Sequence, residues 1–188
     1  QAGTGYLDKG YEQRNTGVFL SALQQFDSVT LEAAARNDDN SNFGNHNTWQ
    51  TSAGWEFIDG YRIIASYGTA YKAPTLSQIH SASYGNPDLK PETSESFEFG
   101  LYYSGEEGWL EGVQGSITAF QNDVDDRISI SRTANVGQAQ SYPNYVGLNG
   151  DGEPVFRYYN VNKARIRGLE TEIKFPIAED WRITLNYT

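Results

Sequence analysis

Apolar and polar side chains alternate along most of this chain with a period of two, the mark of β-strands whose two faces meet different surroundings. The clearest case begins at Ser96, where Phe97, Phe99, Leu101 and Tyr103 oppose Glu98, Gly100, Tyr102 and Ser104. Upstream, Pro87 and Pro91 cannot donate ladder hydrogen bonds and hold their preceding residues out of helical geometry, so this strand, about Thr93 to Tyr103, follows a loop. In chain order, Gln1 to Gln13 reads as a Gly- and Tyr-containing loop and Asn15 to Gln25 as a strand with Val18, Leu20 and Ala22 opposed by Phe19 and Leu23, its outward face ambiguous. A second strand from Val29 sets Leu31, Ala33 and Ala35 against Thr30, Glu32 and Arg36. Asn37 to Asn47, all polar apart from Phe43 and glycine, is expected to be a solvated loop. The third strand places Trp49, Thr51, Ala53, Trp55 and Phe57 on one face, and an Asp59-Gly60 hairpin signal joins it to a fourth carrying Tyr61, Ile63, Ala65 and Tyr67.

Beyond the Lys72 to Pro91 loop and the strand from Thr93, a Gly- and Glu-rich link, Ser104 to Gly112, leads to a sixth strand from Val113 that extends through Ile130. Ser131 to Pro154 is the longest loop. A seventh strand, about Phe156 to Phe175, has clean apolar parity only at Leu169, Ile173 and Phe175, which predicts a bulge near Gly168. A short turn, Pro176 to Asp180, precedes an eighth strand with Trp181, Ile183, Leu185 and Tyr187 on one face.

The links alternate, short around Phe26, Asp59, Glu106 and Ala178 and long around Asn42, Gln78 and Asn144. The expected fold class is therefore all-β, an antiparallel up-and-down meander of about eight strands. Long loops on one side, short turns on the other and aromatic residues near strand ends fit a transmembrane barrel with its short turns facing the periplasm. A soluble β-sandwich that grips glycan through Tyr and Trp would show the same alternation and is kept as an alternative.

Composition narrows the choice of partners. A net charge of −10 argues against nucleic acid or anionic lipid headgroups as partners, and the absence of cysteine removes disulfides, thiolate metal sites and cysteine nucleophiles. Mean hydropathy is −0.62, and no apolar run approaches the roughly 18 residues of a spanning helix. Alternating faces lower the average, so a membrane barrel stays open.

The loop Gly-Asn-Pro-Asp-Leu-Lys-Pro-Glu, from Gly85, running into an amphipathic strand, resembles the barrel domain of TonB-dependent outer-membrane receptors. Three runs between Gly3 and Gln78, GTGYLDKGYEQRNTGVFLSALQQ, AARNDDNSNFG and NTWQTSAGWEFIDGYRIIASYGTAYKAPTLSQ, are similar to the cobalamin (vitamin B12) transporters of that family. The likeness continues more weakly in Asn122-Asp123-Val124 and in YYNVNKARIRGLE from Tyr158, and lapses between Ser131 and Arg157. The resemblance implies that residues 1–188 are part of a plugged barrel of about 22 strands, lacking the plug domain and the barrel C-terminus. It implies cobalamin as transported substrate, outer-membrane lipid around the barrel, and TonB-ExbB-ExbD as the energy source acting through regions outside these residues. A ferric siderophore is the alternative cargo. Calcium belongs to the resemblance only through acidic loops that match nothing here. Open strand edges lead to the expectation that the isolated piece self-associates.

Candidate cargo contacts follow from loop position: Tyr71, Gln78, Tyr84 and Asn86, since a corrinoid offers flat apolar edges and amide side chains. Asp38 and Asp39, beside Asn40, could offer oxygen ligands to calcium, but a solvated cluster is the plainer reading. Asp123, Asp125 and Asp126 with Arg127 suggest an ion-paired strand end rather than a second oxygen cluster. His46 and His80 read as polar loop residues. Lys163, Arg165 and Arg167, with Glu170 and Glu172, read as a charge ladder facing a barrel lumen. No nucleophile, phosphate-cradling loop or metal-ligand spacing accompanies them, and Glu106 and Glu107 lie in a short turn where nothing desolvates either. The expectation is a protein that is not an enzyme.

Overall fold

The computed structural model describes residues 10–178 and 181–188. The first loop through Lys9, the start of the similarity runs from Gly3, and Glu179 and Asp180 of the last turn lie outside the described residues. Among the described residues there are ten strands: β1 (Asn15–Phe26), β2 (Val29–Asn40), β3 (Gly44–Ile58), β4 (Tyr61–Lys72), β5 (Glu92–Ser104), β6 (Gln114–Ser129), β7 (Tyr145–Leu148), β8 (Pro154–Phe156), β9 (Tyr159–Ala178) and β10 (Trp181–Tyr187). Eight of them form one antiparallel sheet in the order β1-β2-β3-β4-β5-β6-β9-β10, the expected meander. The remaining pair, β7 and β8, is a separate hairpin inside the longest link. Two short helices, α1 (Leu76–His80) and α2 (Val136–Ala139), also lie in links.

Register explains the two faces. Leu31, Ala53, Ala65, Phe99, Ala119 and Leu169 stand opposite one another across six strands. The adjacent row is Glu32, Ser52, Ser66, Glu98, Phe120 and Gly168. Pairing of Leu20 with Ala35 and Ala22 with Ala33 puts Val18, Leu20 and Ala22 on the apolar face, while Phe19 lies opposite Arg36 and Leu23 opposite Glu32. That resolves the ambiguity of the first strand.

The sheet does not bury its apolar face. Phe99 is 45% exposed, Leu169 54% and Leu20 77%. Among the described residues the buried apolar side chains are Ile79, Leu89, Ala139 and Phe156, all in the links between sheet strands. A face this large and this bare marks a surface that meets membrane or other protein.

Several expectations need correction. Asn37 to Asn47 is not a loop: β2 runs to Asn40 and β3 resumes at Gly44, with Asn37 opposite Asn47. The turn is closed by the Asn40 side-chain oxygen, which accepts from the backbone N–H groups of Asn42 (3.0 Å) and Phe43 (3.2 Å). Paired backbone lets polar residues form strand where no core selects for apolar ones. Gly168 is not a bulge either, since it pairs with Phe120 in uninterrupted register. A β-carbon there would stand 2.9 Å from the Phe120 ring, so the glycine makes room for an aromatic side chain lying across it. The backbone irregularity on this part of the sheet is at Asp126, with φ 54.

The Asp59-Gly60 turn is as expected, with Ile58 opposite Tyr61 and Gly60 at φ 78. The turn between β1 and β2 is equally tight, with only Asp27 and Ser28 between the strands. At the opposite end lie the β2–β3 turn, the β4–β5 link with α1, and the β6–β9 link with α2, β7 and β8.

Candidate functional site

The end carrying the long links is where the chain presents side chains beyond the apolar band. Its organising contact joins segments distant in sequence. The Asn160 amide donates to the Lys90 carbonyl (3.0 Å) and to the Asp126 carbonyl (2.6 Å), while its oxygen accepts from the Lys90 N–H (2.9 Å). Two residues away the same segments meet again: the Asn86 amide donates to the Tyr158 carbonyl (2.8 Å) and the Tyr158 N–H donates to the Tyr84 carbonyl (2.9 Å). The Gly85–Glu92 loop and the start of β9 are thus tied into one unit. Gly85 lets this loop fold tightly onto the end of α1, because a β-carbon there would sit 2.5 Å from the Ser81 carbonyl oxygen. Glu92 accepts from the Ile128 N–H (2.6 Å) and pairs with Lys72 (3.0 Å), closing the base.

The longest link has a small core of its own. Tyr142 and Tyr145 meet Phe156 edge-on, with centroids 5.8 and 5.9 Å away. Buried Asn144 donates to the carbonyls of Ser131 and Arg157, both at 2.9 Å, pinning the two sides of the link together.

Near the β1–β4 tips there is a polar cleft of about 420 Å³ lined by residues including Asn15, Arg36, Asp38, Asn40 and Tyr71. Tyr71 stacks on His46 with centroids 3.7 Å apart, and its hydroxyl is buried without a hydrogen-bond partner among the described residues. Asp38 takes a two-point contact from Arg36 (2.6 and 2.7 Å) and a third hydrogen bond from Asn15 (2.7 Å). Asp38 lies beyond the apolar band, at the level of the polar tips. The Arg36 contact, then the Asn15 bond, hold its carboxyl below the usual carboxylate range.

The four candidate cargo residues therefore divide. Tyr71 lines the cleft. Tyr84 lies under the Arg132 guanidinium, 4.3 Å from the ring centroid. Gln78 is occupied: its side chain accepts from the Thr75 N–H (2.9 Å) while the Thr75 hydroxyl accepts from the Gln78 N–H (3.3 Å), a capping box on α1. Asn86 is occupied too, by Tyr158 and by the Asp88 N–H (2.9 Å). The spacing Thr-x-x-Gln was the available sign for Gln78. Backbone contacts bring three of the four close, the Asn86 N–H donating to the Gln78 carbonyl (2.9 Å) and Tyr84 and Asn86 both bonding Tyr158, while Tyr71 lies apart in the cleft.

Asp38 and Asp39 occupy successive strand positions and so face opposite sides of β2, which prevents them from chelating one ion together. Among the described residues no three His, Asp or Glu side chains cluster as metal ligands. Asp123 is ion-paired, but with Arg165 on β9 (2.6 Å) rather than with Arg127. His80 stacks on Tyr11, centroids 3.6 Å apart, so both histidines lie against tyrosine rings. The charge ladder of β9 also needs correction: Glu170 and Glu172 share the polar face with Thr118 and Ser116, whereas Lys163, Arg165 and Arg167 share the parity of Leu169 and Ile173 on the other.

Such an end suits non-covalent recognition, with aromatic rings and amides on a cross-tied scaffold. A family model described as TonB dependent receptor-like, beta-barrel matches residues 1–188. Among solved structures, the siderophore receptor PirA from Pseudomonas aeruginosa is 22% identical with a TM-score of 0.74, the match covering 93% of this chain and 33% of that one. A mutant of the ferric enterobactin receptor PfeA from the same organism, in complex with enterobactin, is 22% identical with a TM-score of 0.69, covering 93% and 26%. A double mutant of the Serratia marcescens hemophore receptor HasR, in complex with HasA and heme, is 18% identical with a TM-score of 0.71, covering 93% and 33%. The chain spans about a third or less of each of these receptors' length.

Proposed function

Since the chain belongs to the TonB-dependent receptor β-barrel family, we propose that it forms part of the wall of an outer-membrane transporter that binds cobalamin at its extracellular loops. The transporter imports cobalamin into the periplasm with energy delivered by TonB, and it operates as a receptor rather than an enzyme. The observation that carries the membrane part of this reading is the sheet's continuous bare apolar face, Leu31 through Leu169, backed by a polar row from Glu32 to Glu98. Lipid satisfies the first face, and a water- or plug-filled lumen the second.

Support for cobalamin comes from the extended sequence likeness between Gly3 and Gln78. Much of that likeness lies on β1 to β4, which carry the Tyr71 cleft. A ferric siderophore is the second reading, favoured by the solved receptors whose names specify siderophores and enterobactin. Accumulation of labelled cobalamin by cells carrying the complete gene, with and without TonB, tests the proposal. Uptake that requires both the receptor and TonB supports it, whereas uptake of a ferric catecholate and not of cobalamin moves the assignment to the second reading.

A further inference from the structure

Asn149 is the only asparagine in the sequence that a glycine follows. It begins the tip of the β7–β8 hairpin, in the longest link, where Asn149, Gly150 and Asp151 are all exposed. The main chain is tied at both ends of this tip, the Asn149 N–H donating to the Glu153 carbonyl (2.9 Å) and the Gly152 N–H to the Asn149 carbonyl (3.1 Å). The Asn149 side chain is folded back over residue 150. Its Oδ1 accepts from the backbone N–H groups of Asp151 (3.0 Å) and Glu153 (2.8 Å), and its Nδ2 donates to the Glu153 carboxylate (3.3 Å). Gly150 lies in the open: its N–H makes no hydrogen bond among the described residues, and a β-carbon there would meet nothing within 4 Å.

We propose that Asn149 is a site of spontaneous covalent modification, converting through a cyclic imide to isoaspartate and aspartate in the folded receptor. The Gly150 main-chain nitrogen gives its proton to hydroxide and bonds to Asn149 Cγ. The bond from Cγ to Nδ2 then breaks, and ammonia leaves with a proton taken from water. Water opens the resulting five-membered imide. Opening at Cγ yields aspartate, whereas opening at the Asn149 main-chain carbonyl yields isoaspartate, in which the chain runs through Cγ. The two N–H groups on Oδ1 face the oxygen on which negative charge develops as the nitrogen adds, the role of an oxyanion hole. They offset the repulsion of that charge by the neighbouring carboxylates of Asp151 and Glu153. Glycine leaves the attacking nitrogen unshielded. In the same link Asn135 precedes Val136, and buried Asn144 precedes Tyr145, so larger side chains crowd the corresponding nitrogens. Either product places a new carboxylate beside those of Asp151 and Glu153 and loses the Nδ2 donor to Glu153, so conversion loosens the tip. This inference rests on neither the membrane reading nor the cargo.

The test incubates the complete receptor, purified in detergent, in mildly alkaline buffer made with heavy-oxygen water. Trypsin in ordinary water then releases the peptide from Thr133 to Arg157, which carries Asn135, Asn144 and Asn149, and any conversion during digestion stays unlabelled. Fragmentation mass spectrometry locates the heavy oxygen, and isoaspartyl methyltransferase counts isoaspartate. A synthetic peptide of residues 146–154, treated in the same way, sets the time scale. The expected result is label at Asn149 of the folded receptor on that time scale, as both isoaspartate and aspartate, with none at Asn135 or Asn144. Gly150→Ala should slow the labelling severalfold by crowding the nitrogen. The open space around Gly150 and a φ outside the left-handed region let that variant fold, which heat-modifiable migration checks. Absence of label at Asn149 while the peptide converts overturns the inference, as do equal rates in wild type and Gly150→Ala. Labelled aspartate without isoaspartate overturns it too, since that product comes from direct hydrolysis with no imide.

Discussion

The side chain of Asn160 reads both backbone groups of Lys90, accepting from its N–H at 2.9 Å and donating to its carbonyl at 3.0 Å. One amide thus imitates a strand neighbour for a residue in the β4–β5 link, and it brings together two segments about seventy residues apart in sequence. Asn160→Ala should remove three hydrogen bonds at once. The Lys90 amide is expected to exchange about tenfold faster or more, in line with the roughly 1–2 kcal/mol net value of the lost bonds. Asn160→Asp, which keeps the acceptor and loses the donor, should fall between. Hydrogen exchange on the complete receptor reads this directly, and unchanged Lys90 protection in the alanine variant would show that the clasp does not hold the loop.

Gly168 makes room for the Phe120 ring, which approaches to 2.9 Å from where a β-carbon would be. Gly168→Ala should therefore destabilise the barrel by about 1–3 kcal/mol through crowding. In a Phe120→Leu background the same change should cost much less. Urea midpoints of the four receptors in the double-mutant cycle measure the coupling, and simple additivity would show that ring and glycine are independent.

The apolar face makes a contrasting pair. Phe99→Arg places a charge near the middle of the lipid-facing band and should cost about 2–4 kcal/mol. Ser66→Arg, on the opposite face, should be tolerated. Heat-modifiable migration of outer-membrane fractions distinguishes inserted from uninserted receptor, and equal insertion of the two variants would argue against lipid on the Phe99 side.

Tyr71 separates ring from hydroxyl. Its hydroxyl is buried without a partner among the described residues and its ring stacks on His46. Tyr71→Phe should leave cobalamin affinity within about twofold, whereas Tyr71→Ala, which removes a stacking surface worth about 0.5–1.5 kcal/mol, should weaken it by up to about tenfold. Loss of affinity in the phenylalanine variant as large as in the alanine variant would mean that the hydroxyl, not the ring, is the contact.

What was legible in the sequence depended on whether a face had to be apolar. From Val29 to Tyr103 lipid-facing positions enforce a period of two, and strands, faces and the Asp59-Gly60 hairpin could be read directly. Asn37 to Asn40 pair just as regularly, but past the band both faces meet water and the pattern vanishes while the strand continues. Similarly, charge alone points Arg167 and its basic neighbours to the lumen, whereas parity carried from Leu169 places them outward. Loop position alone points to Gln78 and Asn86, but it does not reveal that their side chains serve a helix cap and an interloop clasp. The β7–β8 hairpin, only a few residues per strand, was too short for any periodicity to show.

Cobalamin transport is the function proposed for the receptor to which this barrel wall belongs. Its most direct test is equilibrium binding of cyanocobalamin and of ferric enterobactin to the purified complete receptor in detergent. Saturable cobalamin binding that ferric enterobactin does not displace is the expected result. Saturable binding of ferric enterobactin with none of cobalamin would contradict it.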